Sequence, residues 1–197
     1  CFFLGASVRQ ALGVGQARLY RRQGAEGSDM VARGAPMSWR SAFGEAWRMP
    51  SPRLLIGRHS VVGAVYAITT VVAGRRPVFA DAGAAETVVD ELRLAGRMGM
   101  VVPLAWVVMP DHLHWLFELR APSLAQVVGR MKSCSARRVR ALGGGEGALW
   151  QPGYYDHRLR RDEDVVQQGH YILGNPVRAG LAEEIGVYPY AWCAYPL

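Results

Sequence analysis

From about residue 49 onward, the spacing of apolar residues alternates between the period of a strand and that of a helix. Residues 61–72 are rich in β-branched and aromatic side chains and end at a Gly-Arg-Arg-Pro turn, which predicts a buried strand. Residues 84–97 carry apolar side chains at intervals of three and four, which predicts a helix. Residues 100–109 form a second predicted strand, in which Pro103 indicates an irregularity or an edge position near the start.

The alternation continues to about residue 173. Residues 112–119 follow a turn and are predicted to form a third strand, whose side chains alternate between the two faces of the sheet. Ser123 can cap a second helix that runs to about residue 142, where a Gly-Gly-Gly loop ends it. Residues 153–160 are predicted to form a fourth strand, and Asp162 to cap a third helix that ends ahead of an Asn-Pro pair.

The resulting order is β-α-β-β-α-β followed by a helix. This order predicts an α+β, ferredoxin-like fold, in which an antiparallel sheet carries its first two helices on one face. Residues 1–48 are rich in Gly, Ala, Arg and Ser and lack sustained periodicity, so we interpret them as a poorly structured leader or an artefact of the gene start. The patterned domain is therefore predicted over residues 49–197.

Charge and composition narrow the class of partner. The 197 residues carry a formal net charge of +7, which favours nucleic acid as a partner and a membrane surface next. The three cysteines are widely spaced and form no C-x-x-C pair, which argues against a disulfide framework and a structural zinc site. No apolar run is long enough for a transmembrane helix, and the start of the chain lacks the features of a signal peptide, so we expect a cytoplasmic protein.

Basic side chains concentrate on one surface of the predicted second helix. Its apolar positions form an inner stripe, and the opposite surface is predicted to follow the phosphates of a nucleic acid. The candidate DNA contacts on this surface are Arg130, Lys132, Arg137 and Arg138. Arg137 and Arg138 are the strongest candidates. Although most aromatics at such spacings belong to a core, four aromatic residues could stack on unpaired bases: Trp115, Trp150, Tyr154 and Tyr155.

Two histidines stand two residues apart on the predicted third strand. Because strand side chains alternate, the imidazoles of His112 and His114 project from the same face and can bind one metal ion. The spacing alone leaves open a pair of ordinary surface or hydrogen-bonded histidines beside a turn.

Tyr171 and Asn175 stand four residues apart at the end of the predicted third helix. On a helix this separation places both side chains on one surface, where they could reach the same ion or phosphate. Asn175 precedes a proline, which biases it away from helical geometry and loosens this alignment. Considered alone, Tyr171 is better explained as a core or surface aromatic.

Three segments taken together resemble the REP-associated tyrosine transposases, which are relatives of the insertion-sequence-200-like transposases. They are MPDHLHW at residues 109–115, LWQPGYYDH at 149–157 and YILGNPVRAGL at 171–181. The similarity spans roughly residues 49–196, and three motifs in the right order are more specific than any one of them. The chain departs from the family near its end, where residues 188–195 read YPYAWCAY in place of the family's serines.

The resemblance implies roles for four residues. It implies that His112 and His114 bind a divalent ion, that Asn175 is the third ligand and that Tyr171 is the nucleophile. Magnesium prefers oxygen ligands, so Mn²⁺ is at least as plausible as Mg²⁺ beside two imidazoles.

The implied function is a metal-dependent transesterase that cleaves and rejoins single-stranded DNA at hairpin or palindromic repeats through a 5′-phosphotyrosine intermediate. The implied partner is single-stranded or hairpin DNA, with no membrane partner, for a nucleoid-associated monomer or homodimer. One alternative is a catalytically idle hairpin-binding protein of the same fold, against which the intact His112, His114 and Tyr171 argue. The other is an RNA-binding module, since RNA-recognition domains share this topology, but no strand carries their aromatic pattern.

Overall fold

The computed structural model describes residues 60–143, 147–160 and 164–197. The predicted leader at residues 1–48 lies outside these ranges. So do Asp162, which was predicted to cap the third helix, and most of the glycine loop predicted after the second helix.

A five-stranded antiparallel sheet lies at the centre of the described residues. Its strand order is β4-β1-β3-β2-β5, and the first four positions reproduce the order of a ferredoxin-like sheet, which confirms the predicted fold. A fifth strand, absent from the prediction, pairs with the outer edge of β2. The strands are β1 Val65–Val71, β2 Val101–Met109, β3 His112–Leu119, β4 Tyr155–Arg158 and β5 Ala191–Cys193.

Three longer helices each begin at a side-chain cap. The carboxylates of Asp81 and Asp164 and the hydroxyl of Ser123 accept hydrogen bonds from backbone amides in the first turns. The third helix therefore begins after Asp164 rather than after the predicted Asp162. No helix in the described ranges has the length and apolar character needed to cross a membrane. The helices are α1 Ala82–Arg97, α2 Leu124–Ala141, α3 Val165–Leu173 and the four-residue α4 Asn175–Arg178.

The two faces of the sheet pack against different helices. On one face, which we call the helical face, Trp115 and its neighbours form the larger core with α1 and α2, as predicted. On the other face, Leu116 and its neighbours form a smaller core with Ile172 and Leu173 of α3. We call this second face the histidine face, because His112 and His114 alternate with Leu113 and Trp115 along β3.

Several element boundaries differ from the prediction. β1 begins at Val65 because the chain turns at Gly63, whose φ of +82° lies in the left-handed region. β4 begins at Tyr155 rather than at residue 153, since Gly153 also has a positive φ, of +72°. The irregularity predicted at Pro103 is present, as the register of β2 with β3 shifts between Pro103 and Ala105.

Candidate active site

The imidazoles of His112 and His114 meet at their Nε2 atoms. These two atoms lie 3.2 Å apart, and the ring planes are perpendicular. Two nitrogen atoms with lone pairs at this separation need a proton or a cation between them. The shared face that the sequence predicted for the two rings is therefore present, and the rings converge on one point.

Both imidazoles form a hydrogen bond through Nδ1, the ring nitrogen that does not face the other histidine. The Nδ1–H of His112 donates to Asp111 Oδ1 at 2.5 Å, and His114 Nδ1 lies 2.9 Å from the Thr69 hydroxyl. Thr69 stands directly opposite His114 in the pairing of β1 with β3, so the register of the sheet fixes this contact. Arg75 donates to the other oxygen of Asp111 at 2.9 Å. The contact with Asp111 favours the tautomer of His112 in which Nε2 keeps its lone pair, and the Thr69 hydroxyl can accept from Nδ1 of His114 in the same tautomer.

This arrangement fits a metal ion. Two nitrogen ligands at about 2.1 Å from one ion, at roughly 90–110° to each other, lie about 3.0–3.4 Å apart, and the separation of 3.2 Å falls in that interval. Metal-binding histidines also tend to engage their second ring nitrogen with a carboxylate or another oxygen, as both do here. Within the described ranges no group of three His, Cys, Asp or Glu side chains is placed to hold a metal. Further ligands would therefore come from amide or hydroxyl side chains, water or phosphate.

The electrostatics of the pair keep His114 neutral. Burial lowers the pKa of His114 well below its ordinary value, the charge interactions with His112 and Arg178 lower it further, and the interaction with Asp111 opposes them only in part. Burial would raise the pKa of Asp111, but its hydrogen bonds and charge interactions with His112 and Arg75 outweigh this, and the pKa lies below its ordinary value. At neutral pH the site therefore holds an ionised Asp111 behind His112 and a neutral imidazole at His114, the form that binds metals.

Tyr171 lies on α3, the helix that packs on the histidine face. Its neighbours Ile172 and Leu173 are buried against β2, whereas the Tyr171 side chain is 39% exposed. Arg178 stands over its ring, with Cζ 4.2 Å from the ring centroid. The charge of Arg178 also contributes to the low pKa of His114, so it acts on both candidate groups.

Asn175 is placed differently from Tyr171. α3 ends at Gly174, and Asn175 begins the short α4 with only 7% of its surface exposed. Its Nδ2 donates to the carbonyl of Ile172 at 2.9 Å, within the last turn of α3. Asn175 is therefore buried where Tyr171 is exposed, so the four-residue spacing does not place both side chains on one exposed surface.

The basic residues of α2 lie on the helical face, away from the histidines. Arg130 and Arg138 form ion pairs with Glu91 of α1, at 3.2 and 3.1 Å. Lys132 Nζ donates to the carbonyls of Gln151 and Gly153 at 2.6 Å each, and burial lowers its pKa to about 8. The structure thus engages these three candidate DNA contacts in interactions with other elements of the fold.

Arg137, the fourth of these candidates, donates to the thiol of Cys134 at 3.3 Å. Of the aromatic residues considered for stacking on bases, Trp115 and Trp150 are buried in the core. Tyr155 stands opposite Thr69 in the pairing of β4 with β1, which places it on the histidine face.

Four residues of the site were missed by the sequence analysis as functional positions. Asp111 and Arg178 lie inside the motif segments, and the presence of a carboxylate beside His112 was a usable signal. Thr69 and Arg75 carried no such signal, because their relation to the histidines depends on the pairing of β1 with β3 and on the turn that follows β1.

Comparison with known proteins places this arrangement in a family. Residues 60–173, more than half of the chain, match the family described as "Transposase IS200 like". A relative from Escherichia coli, strain K12, described as a REP-associated tyrosine transposase, is 28% identical over 87 residues, which is 44% of this chain and 51% of the relative. The chain spans about half the length of the curated relatives it matches.

A solved structure of a REP-associated tyrosine transposase bound to a REP hairpin has the same fold. It is 22% identical to this chain, with a TM-score of 0.57, and the match covers 68% of this chain and 79% of the other.

Proposed function

The chain belongs to the IS200-like transposase family, and from that premise we propose that it is a metal-dependent transesterase that cleaves and rejoins single-stranded DNA at hairpin or palindromic repeats. The observation that carries the proposal is the convergence of two imidazoles, each fixed through Nδ1, on the same face of the sheet that carries the Tyr171 helix. The predicted membership in this family is confirmed, and the chemistry below is our inference from the site.

In the proposed reaction the Tyr171 oxygen attacks the phosphorus of the scissile linkage. A bond forms between phosphorus and the phenolic oxygen, and the bond from phosphorus to the 3′-oxygen breaks, which leaves a 5′-phosphotyrosine. The phenolic proton passes to solvent, and the departing 3′-oxygen takes up a proton to become a hydroxyl. Rejoining is the reverse attack by a 3′-hydroxyl, so the energy of the phosphodiester is kept in the covalent intermediate.

His112 and His114 are the proposed holders of Mg²⁺ or Mn²⁺, with Asn175 as the proposed third ligand. When bound, such an ion supplies positive charge to the phosphate oxygens and stabilises the charge that develops on them. Asp111 and Thr69 orient the two imidazoles, and Arg75 holds the carboxylate of Asp111 in place.

Hairpin DNA is the proposed partner of the site. The fold shared with a transposase bound to a REP hairpin, together with the net charge of +7, supports this. Arg130, Lys132, Arg137 and Arg138 stay candidates for DNA contact; among them Arg137 is the one whose contact is a thiol rather than a carboxylate or a carbonyl. We further propose that the protein acts in the cytoplasm, in contact with the nucleoid, as a monomer or homodimer.

Incubating the protein with an end-labelled single-stranded hairpin and Mn²⁺ tests the proposal. A covalent protein–DNA adduct that survives denaturation is expected, and it should be absent in Tyr171→Phe and strongly reduced in His112→Ala and His114→Ala. Tyr171→Phe is a matched control, because it keeps the ring and removes only the hydroxyl. Tight hairpin binding by the wild-type protein without any adduct would instead support the catalytically idle alternative.

A further inference from the structure

The guanidinium of Arg178 makes two contacts with Tyr171. Its Cζ lies 4.2 Å from the centre of the ring, and its Nη2 donates to the Tyr171 backbone carbonyl at 2.7 Å. The first contact engages the side chain and the second engages the main chain of the same residue. A planar cation held in this way restricts both the position of the ring and the end of the helix that carries it.

Gly174 provides the space for this cation. A Cβ added to Gly174 would lie 2.7 Å from Arg178 Nη1, whereas its other neighbours would lie at 3.5 Å or more. The backbone of Gly174 has φ −75° and ψ −8°, a helical conformation that alanine also adopts. The guanidinium is therefore the only close obstacle to a side chain at this position among the described residues.

An exposed tyrosine needs such a support if it is to act as a nucleophile. Tyr171 is 39% exposed, so core packing does not fix its side chain as it fixes Ile172 and Leu173. Any change of its rotamer would take the ring out of a near-attack geometry, and loss of such a geometry lowers a rate steeply.

We propose that Arg178, whose guanidinium lies against Gly174, is a positioning residue that helps to hold the Tyr171 ring in the orientation required for attack. The inference rests on the proposed role of Tyr171 as nucleophile. Arg178 acts through the tyrosine in this proposal, so its removal should slow the covalent step while leaving DNA affinity and folding nearly unchanged.

Single-turnover kinetics of adduct formation at saturating hairpin and Mn²⁺ provide the first test. Arg178→Ala should lower the rate constant about 10- to 100-fold, with the Kd for the hairpin within about twofold of wild type. Arg178→Lys should recover only part of the rate, since an ammonium cannot stack as a plane and donate at the same time. Arg97→Ala, which removes an exposed arginine from the end of α1, is the control and should behave as wild type.

Two outcomes of that experiment would overturn the inference. If the rate constant at saturation is unchanged while the Kd rises, Arg178 binds DNA instead of positioning the tyrosine. The melting temperature reports how much of the variant is folded. If the rate falls only in proportion to a loss of folded protein, Arg178 stabilises the connection between α3 and α4 instead.

Gly174→Ala disturbs the same contact independently, because it fills the space that the Arg178 guanidinium occupies. It should lower the rate by a similar factor, because the new methyl group displaces the guanidinium while the backbone keeps its conformation. In the Arg178→Ala background the same substitution should have no further effect, since the obstacle is already gone. If the rate loss of the double variant equals the product of the two single losses, the two substitutions act independently and the proposed role of Gly174 is contradicted.

A readout that does not depend on DNA separates this inference from the proposed function. In protein labelled with 3-fluorotyrosine, the ¹⁹F resonance of residue 171, assigned by its loss in Tyr171→Phe, should move in Arg178→Ala and Gly174→Ala but not in Arg97→Ala. If the resonance does not move in these two variants, Arg178 does not position the Tyr171 ring and the inference is wrong. Wild-type protein that forms no adduct overturns the proposed function itself, whereas adduct formation at the wild-type rate in the Arg178 and Gly174 variants overturns this inference alone.

Discussion

The two faces of the sheet are built from the same strands but carry different kinds of side chain. On the helical face, Trp115 is fully buried, and the buried carboxylate of Glu91 is matched by arginines from α2. On the histidine face, α3 covers β2 and β5, while the polar side chains of Thr69 and His114 occupy the sheet surface beside it. Neighbouring residues of β3 thus face either a closed apolar core or a cluster of polar groups.

The difference separates a face that is packed with apolar side chains from the face that carries the proposed active site. Each position occupied by His112 or His114 could carry a valine that would extend the smaller core around Leu116. The imidazoles instead keep their Nε2 atoms directed at one another and their Nδ1 atoms hydrogen-bonded. We therefore expect substitutions on the helical face to change mainly the free energy of unfolding, and those on the histidine face to change mainly metal binding and rate.

The largest effect on stability is expected at Trp115. Trp115→Ala should lower the free energy of unfolding by about 3–5 kcal/mol, because it empties a fully buried site. Trp115→Phe should cost much less, since it also removes an indole N–H that has no hydrogen-bond partner among the described residues. His114→Ala, one position away on the other face, should cost only about 1 kcal/mol. Urea unfolding measures all three, and equal costs for the two alanine variants would break the comparison.

Substitutions of two adjacent threonines, one on each face of the sheet, test whether metal affinity depends on the histidine face alone. Thr69→Val removes the hydroxyl that holds His114 Nδ1 and should weaken Mn²⁺ binding about 10- to 100-fold. Thr70→Val is the matched control, because Thr70 points to the opposite face and its buried hydroxyl has no partner in the described part of the chain. Titration calorimetry with Mn²⁺ should show a loss in the first variant only. A similar loss in both would argue against an orienting role for Thr69.

A smaller effect on stability is expected at Glu91. Its carboxylate accepts hydrogen bonds from Arg130 and Arg138, which are themselves partly exposed. Glu91→Gln should therefore cost about 1–2 kcal/mol, less than the loss of a fully buried pair. Glu86→Gln, at an exposed position of the same helix, is the control. If adduct formation responded to Glu91→Gln while the free energy of unfolding did not, the stabilising role assigned to the Glu91 ion pairs would be wrong.

The smallest effect is a dependence of stability on pH. The folded pKa of His114 lies well below its ordinary value, chiefly because of burial, so the unfolded chain takes up a proton near pH 6.5 that the folded chain does not. The free energy of unfolding should therefore fall as pH decreases below about 6.5, by about 1 kcal/mol between pH 6.5 and 5.5. His114→Asn should remove this contribution. Urea titrations in the presence of a chelator measure it, and parallel pH profiles for the two proteins would contradict it.

Local pattern was sufficient for most of the fold. The periodicities of β1 to β3 and of α1 and α2 predicted these elements to within a few residues, because each buries one face against a core. The three-residue β5 left no such pattern, since it is defined by pairing with Ala105–Val107 far away in sequence. Its absence from the prediction reflects a contact that only the folded chain creates.

The candidate site was predictable only in part for the same reason. The alternation of strand side chains predicted that His112 and His114 share a face, and the motifs predicted the family. Charge alone made Arg130 and Arg138 candidates for DNA contact, but it could not reveal that Glu91 of another helix would pair with them. Likewise, spacing placed the side chains of Tyr171 and Asn175 on one surface, whereas Asn175 is buried and Tyr171 is exposed.

The strand that carries the histidines is the middle strand of the five, with β1 and β2 hydrogen-bonded along its two edges. Backbone amides in such a position exchange with solvent only when a large part of the molecule opens. Fraying at the edge strands β4 and β5 is expected to leave the spacing of the two imidazoles unaltered. We therefore expect the two imidazoles to hold the spacing that the proposed cation requires before the proposed DNA partner binds.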